Sequence, residues 1–207
     1  ICASNDNKVL YDFFQTGTYD RKREFILTSS PSMDILISSN LERLIYLSAG
    51  CDAGVNREMM EELSKNGAYQ ITGEMKAFMK DFTGGYATEA ENAAEIKKVY
   101  EDTGYVIDTH TGVASAVYRA YKERTGDQTP TVIASTASPY KFSHSVLEAI
   151  QGSLGDRDEF AVVDELNRVS GVTVPNAVEE IRHAEIRHNR ECGRDNMEDT
   201  VAEILGL

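Results

Sequence analysis

An α/β fold closed by a helical C-terminal segment is what this sequence predicts, and three observations carry the prediction. A capped amphipathic stretch from Thr88 to Gly104 runs directly into a short apolar segment, Tyr105 to Ile107, which is the helix-then-strand rhythm of α/β chains. TVIAS, Thr131 to Ser135, is a β-branched run between a proline and a polar turn and reads as the clearest strand. Beyond Ser153 the chain holds three amphipathic stretches and no convincing strand. With 207 residues, 41% of them hydrophobic, there is enough chain for one large buried core or for a domain with an appendage. The expected division is a sheet part over 1–152 and a helical part over 153–207, with the seam in Ser153 to Asp158 around Gly155.

Taken in order, ICASN at Ile1 to Asn5 reads as a short buried strand leading into a polar loop. A buried parallel strand needs neighbours and there is no initiator Met, so the expectation is the C-terminal part of a longer polypeptide with further strands upstream. Val9 to Phe14, closed by Gly17, and Phe25 to Thr28 are two more candidate strands. Ser32 is expected to cap a helix with Asp34 in its first turn, apolar Ile37, Leu41, Leu44 and Ile45 at helical spacing, and Gly50 past its end. Asn56 to Gly67 predicts a second helix, and Met75, Phe78, Met79 and Phe82 a core-facing stripe on a third. Thr88 and Glu91 spell a capping box for the helix through Ile96 and Tyr100. DTHTGVASAVYRAY, from Asp108, opens with polar residues and continues as a Gly- and Ala-rich helix able to approach a neighbour closely, ending at Gly126. Ser145 with Glu148 reads as another capping box, which leaves Thr136 to His144 as a strand-to-helix loop. Phe160 to Val169, Val178 to Ile186 and Met197 to Leu205 complete the chain as amphipathic helices.

Charge and cysteine usage exclude several classes of function. A formal charge of -13, from 21 basic and 34 acidic side chains, repels nucleic-acid phosphate and anionic lipid, so neither nucleic acid nor membrane is an expected partner. Cys2, Cys51 and Cys192 are far apart and lack zinc-type spacing, and no apolar run has membrane length; the expectation is a cytoplasmic protein with reduced thiols. His183, His188 and Cys192 scatter around a helix, so no metal site is expected there. Arg182, Arg187, Arg190 and Arg194 form a local basic patch, either paired with nearby Glu residues or facing the upstream half.

In an open parallel sheet, ligands sit beyond the carboxyl ends of the strands, where helix N-termini offer free N–H donors. Four polar loops fit that position: Ser4 to Asn7, Ser29 to Asp34, Asp108 to Thr111 and Thr136 to Lys141. Their hydroxyls, amides and one lysine suit a phosphorylated ligand, although Ser, Thr and Asn are equally ordinary N-caps. Asn5 and Asn7 read better as closing the strand-end turn than as lining a cleft.

ICASNDNKVLYDFFQTGTYDR, SPSMDILISSNLERL, DTHTGVA and STASPYKF occur in one order, and this order resembles the second half of threonine synthase, covering Ile1 to about Phe142. The resemblance implies the three-layer sheet domain of the fold type II pyridoxal-phosphate enzymes, with 1–152 as the C-terminal part of the large cofactor-binding domain and 153–207 as its helical segment. It implies conversion of O-phospho-L-homoserine and water into L-threonine and phosphate, by elimination of phosphate followed by water addition, with pyridoxal 5'-phosphate as cofactor. The family's Schiff-base lysine and its Gly-rich phosphate loop have no counterpart here, so the isolated chain is expected to be inactive and to need the N-terminal half of the same enzyme as its partner. An exposed half-sheet could also pair with a second copy as a truncation-induced dimer. Thr136 matches the threonine that hydrogen-bonds the cofactor's pyridine nitrogen, and a neutral hydroxyl there does not force that nitrogen to be protonated. Lys141 is a candidate point charge for substrate phosphate or a solvated lysine. Ser30 and Ser32 are candidates for the phosphate or amino-acid pocket, with Ser32 alternatively a helix cap, while Asp34 would repel a phosphate. Asp108, His110 and Thr111 match a D-x-H-T block beside the cleft; His110 could position water or phosphate, or make a structural hydrogen bond. Gly112 stands where the family usually has Ala. Two other readings are a different enzyme of the same fold type and a non-catalytic threonine-synthase-like protein that binds a phosphorylated metabolite.

Overall fold

The computed structural model describes all residues from Ile1 to Leu207, in two compact units, Ile1–Val174 and Pro175–Leu207. The first is mixed α/β. Strand β1 (Cys2–Ser4) pairs in parallel with β4 (Gly84–Tyr86), and β2 (Thr18–Asp20) pairs antiparallel with β3 (Ala68–Gln70). Around these two small sheets lie helices α1 (Val9–Thr16), α2 (Ser39–Ser48), α3 (Ala53–Asn66), α4 (Gly73–Phe78), α5 (Glu89–Thr103), α6 (Thr109–Thr125), α7 (Ser143–Gln151) and α8 (Glu159–Ser170). The second unit holds α9 (Asn176–His183) and α10 (Met197–Leu205). No helix is long and apolar enough to cross a membrane.

Burial in the first unit includes two clusters that flank the sheets, and further buried residues, among them Ile96, Val146, Leu147, Val162 and Leu166, lie on α5, α7 and α8. Val9, Phe13, Tyr19, Leu41, Ile45 and Leu63 belong to a core beneath the β2–β3 pair, where the Tyr19 and Tyr69 rings stack at 5.4 Å. A smaller cluster of Ala87, Val113 and Val117 seats α6 against the β1–β4 pair. Helix α5 packs on α6 and α7, and α7 on α8.

Several expected elements change identity. Val9 to Phe14 is helical: its buried residues, Val9 and Phe13, repeat every four positions, and Gly17 closes the helix at φ 80°. Phe25 to Thr28 is no strand, because the Asn7 side-chain amide takes the place of a partner backbone, donating to the Ile26 carbonyl (2.7 Å) and accepting the Ile26 N–H (3.0 Å). Ser32 caps no long helix; it lies in a short 3-10 turn, Pro31–Met33, and α2 begins only at Ser39, capped by the Ser38 hydroxyl. Asp34 is drawn away from any helix start by Asn5, Asn7 and Thr28. Met75 and Met79 are core, whereas Phe78 and Phe82 are exposed, since α4 stops at Phe78 and a 3-10 turn redirects the stripe. Tyr105 to Ile107 and TVIAS are unpaired, and Val132 is 95% exposed: a β-branched run becomes a strand only when a neighbour supplies the ladder. Ser145 lies inside α7, which starts at Ser143, so it caps nothing. His183 ends α9, which places His188 and Cys192 beyond that helix.

The capping signals fare better. Thr88 and Glu91 form the reciprocal box, and Gly67, Gly104 and Gly126 each close a helix in the left-handed region; α3 starts three residues ahead of the expected Asn56, capped by Asp52.

Candidate functional site

The parallel β1–β4 pair delivers the chain to Asn5 on one side and to the Thr88 cap of α5 on the other, both at strand carboxyl ends. There Asn5, fully buried, donates through Nδ2 toward Asp34 Oδ1 (2.7 Å), Thr28 Oγ1 (2.9 Å) and Ser30 Oγ (3.0 Å). Its Oδ1 accepts the Asn7 backbone N–H at 3.0 Å. Asp34 is the hub, accepting also from Asn7 Nδ2 (2.9 Å), the Thr28 hydroxyl (2.7 Å) and the Thr28 N–H (3.0 Å). A half-buried carboxylate met by this many donors holds the 26–34 loop in one conformation.

The same loop is tied to the starts of two helices. Glu89 Oε2 accepts the Ser29 N–H at 3.0 Å, and Asn92 Nδ2 donates to Ser29 Oγ at 3.2 Å, both from α5. From α6, His110 Nε2 accepts the Ser32 N–H at 3.1 Å. Helix α6 is capped by Asp108, whose Oδ1 accepts the N–H groups of His110 (2.8 Å) and Thr111 (3.4 Å). Asp108 also meets His110 Nδ1 at 3.2 Å and receives the Thr111 hydroxyl on Oδ2. Thr111 Oγ1 lies 2.8 Å from Ser135 Oγ, and the His110 ring packs on Phe142 at 4.8 Å, so the segment bearing Thr136 is joined to the cluster at both ends.

Gly112 is the residue that makes this approach possible. A Cβ there would lie 2.3 Å from Asn92 Oδ1 and 2.8 Å from Ile96 Cγ1, so only glycine lets α6 sit this close to α5. Further along α6, Arg119 grips the carboxylate of Glu95 with two nitrogens at 2.8 Å while Ser115 donates at 2.6 Å. Burial pushes the Glu95 carboxyl up, but the Arg119 and Ser115 hydrogen bonds outweigh it, and the net displacement is downward.

Of the residues singled out in the sequence, the structure brings Ser30, Ser32, Asp108, His110 and Thr111 into one hydrogen-bonded cluster with Asn5, Asn7 and Asp34. Ser30 faces inward and is buried, whereas the Ser32 side chain is exposed. Thr136 is exposed on the adjoining segment and its hydroxyl has no partner within the chain. Lys141 is exposed too, its Nζ 5.5 Å above the Phe142 ring. Thr28, Glu89, Asn92, Ser135 and Phe142 escaped the sequence reading as site residues. For Ser135 the signal was position, immediately beside Thr136; for Glu89 and Asn92 no local signal exists. A separate cleft of about 280 Å³, lined by Ile1, Gly84, Tyr121 and Arg124 among others, opens beside the start of β1 and the far end of α6, away from these loops.

Comparison with known proteins supplies a family. Residues 111–188 match the family model described as threonine synthase, C-terminal. The chain is 40% identical over 154 residues to threonine synthase-like 1 of Homo sapiens, an alignment covering 73% of this chain and 20% of that protein. It is 36% identical over 165 residues to threonine synthase of Saccharomyces cerevisiae, covering 72% of this chain and 32% of that one. Among solved structures it superposes on PLP-bound threonine synthase from Brucella melitensis with a TM-score of 0.66 and 30% identity, over 82% of this chain and 40% of that chain. The chain thus spans between a fifth and two fifths of the length of these relatives.

Proposed function

This chain is a homologue of the threonine synthases, and on that premise we propose that the polypeptide carrying it converts O-phospho-L-homoserine and water to L-threonine and phosphate with pyridoxal 5'-phosphate. The observation that carries the reading is the convergence of the four polar loops, at Asn5, Ser30 to Asp34, Asp108 to Thr111 and Ser135 to Phe142, into one hydrogen-bonded cluster beyond the β1–β4 carboxyl ends.

The residues present fit one edge of the cofactor. An exposed threonine hydroxyl without an internal partner, held on a segment anchored by Ser135 and Phe142, suits a ring nitrogen that needs a neutral donor. When bound, the cofactor would supply an electron sink for negative charge developing at the substrate's amino-bearing carbon. Thr136 donates its hydroxyl proton as a hydrogen bond without adding charge, so it sets the ring's orientation rather than its protonation. Lys141 lends a mobile positive charge to the departing phosphate, and the exposed Ser32 side chain offers that anion a hydroxyl. Ser30, Asp108, His110 and Thr111 act on the substrate through the shape they impose on these loops, since their polar atoms are engaged inside the cluster. The Schiff-base lysine and the cofactor-phosphate loop are the contribution of the N-terminal half, so this chain alone is expected to be inactive. The unpaired TVIAS run is where that half would add strands, and in the isolated chain the same exposed edge favours a dimer, which light scattering at several concentrations tests.

The deciding measurement is phosphate release from O-phospho-L-homoserine by the full-length polypeptide. Thr136→Val should weaken cofactor retention about two- to tenfold, the worth of one hydrogen bond to a neutral group, and Thr136→Ser should restore it. No phosphate release, or identical retention in all three proteins, refutes the reading. The higher identity to a threonine synthase-like protein favours a second one, a pocket that binds a phosphorylated metabolite without turnover. Phosphohomoserine binding by calorimetry with no phosphate released would establish it.

A further inference from the structure

We propose that Asp108 and His110 form a positioning clamp that fixes the Ser32 loop against the Thr136 segment, an inference that deepens the threonine synthase reading and rests on it. The clamp follows from proton bookkeeping. An ionised carboxylate only accepts, so the 3.2 Å contact between Asp108 Oδ1 and His110 Nδ1 puts the imidazole proton on Nδ1. That leaves Nε2 as a lone pair, and the Ser32 N–H, 3.1 Å away, is the donor that fills it. The other carboxylate oxygen takes the Thr111 hydroxyl proton. Thr111 Oγ1 must then accept from Ser135 Oγ at 2.8 Å, one residue before Thr136. The Phe142 ring, 4.8 Å from the imidazole, closes the other end of that segment.

One carboxylate, with no exposed side-chain surface, therefore reaches two loops through two relays: imidazole to Ser32 and hydroxyl to Ser135. Both ring nitrogens of His110 are occupied by these bonds, and a substrate could use either only by opening the clamp. His110 is thus a positioning residue: it sets the separation between the phosphate side of the cleft, at Ser32, and the ring side, at Thr136. Neutrality of the imidazole is part of the device, because a second proton would leave the Ser32 N–H without an acceptor.

The test pairs two readouts on the full-length polypeptide, amide hydrogen exchange followed by mass spectrometry and the visible absorption band of bound pyridoxal phosphate. His110→Ala should speed exchange about tenfold or more in the peptide spanning Ser29 to Asp34, speed it in the peptide spanning Thr131 to Ser138, and shift or weaken the cofactor band. His110→Gln, whose carbonyl oxygen can replace Nε2 as acceptor, should return exchange at Ser29 to Asp34 and the cofactor band toward wild type. Thr111→Val, which breaks only the second relay, should speed exchange in Thr131 to Ser138 and leave Ser29 to Asp34 protected. Unchanged exchange in His110→Ala, or a glutamine variant no better than alanine, overturns the clamp. If the wild-type polypeptide shows no cofactor band, the threonine synthase reading fails by that result, and the exchange arm still decides whether the clamp joins the two loops.

Discussion

Gly112→Ala adds one methyl group at the tightest point between α5 and α6, and the structure sets the size of the effect. The new Cβ would stand 2.3 Å from Asn92 Oδ1 and 2.8 Å from Ile96 Cγ1, and both neighbours are 1% exposed. Alanine gains about 1 kcal/mol of helix propensity over glycine. Against this, overpacking a closed interface costs roughly 1–3 kcal/mol, and swinging the Asn92 amide aside loses its 3.2 Å bond to Ser29, worth about 1 kcal/mol. The net expectation is a loss of about 1–3 kcal/mol. Urea denaturation followed by circular dichroism should show it as a midpoint lower by roughly 0.5–1.5 M, for a denaturant slope of about 2 kcal/mol per M. Adding Asn92→Ala removes the atom in closest conflict, so the double variant should be less destabilised than the sum of the singles by about 1 kcal/mol. A Gly112→Ala protein as stable as wild type, or additive behaviour in the double variant, refutes the close-approach argument.

Asp34→Asn keeps the size of the hub but turns one of its acceptors into a donor facing the Thr28 N–H or hydroxyl, and should cost about 1.5–3 kcal/mol by thermal denaturation, with faster amide exchange across 26–34; an unchanged midpoint would count against the hub. Glu95 is held below the usual carboxylate range, since the Arg119 and Ser115 bonds overcome its burial. A group lowered in the folded state contributes stability above its unfolded pKa and loses it as pH falls through the folded value, so Glu95→Gln should flatten the acid limb of the stability profile; an acid limb as steep as wild type would show that the pair carries no such linkage. Gly85→Ala would place a Cβ 2.5 Å from Val117 Cγ1, under the seat of α6 on β4, and should lower the urea midpoint, with wild-type stability contradicting the packing described.

How far the site was legible depended on the range of the interaction involved. Asp108 was readable as the start of a helix because its carboxylate meets N–H groups only two and three residues ahead. That His110 also accepts from Ser32, 78 residues away, is written in neither segment. Asp34 looked like a first-turn helix residue that would repel phosphate, yet its partners at Asn5 and Asn7 lie 29 and 27 residues upstream and convert it into the hub of a loop. The strands were the weakest part for the same reason: Val9 to Phe14 and Phe25 to Thr28 are apolar enough for a sheet, but hydrogen-bond partners decide, and those were a helix's own carbonyls in one case and the Asn7 side chain in the other.

The sequence by itself determined the α/β class, the ends of α5, α6 and α10, the four polar loops and the resemblance of their motifs to threonine synthase, because caps and helical periodicity act within a turn and motifs need no neighbours to be read. Only the tertiary structure decided that those loops form one cluster, that Gly112 is required where α6 meets α5, and that TVIAS remains without a ladder. Contacts between residues tens of positions apart depend on how whole elements pack, and no local preference of the chain encodes which distant donor a given carboxylate will meet.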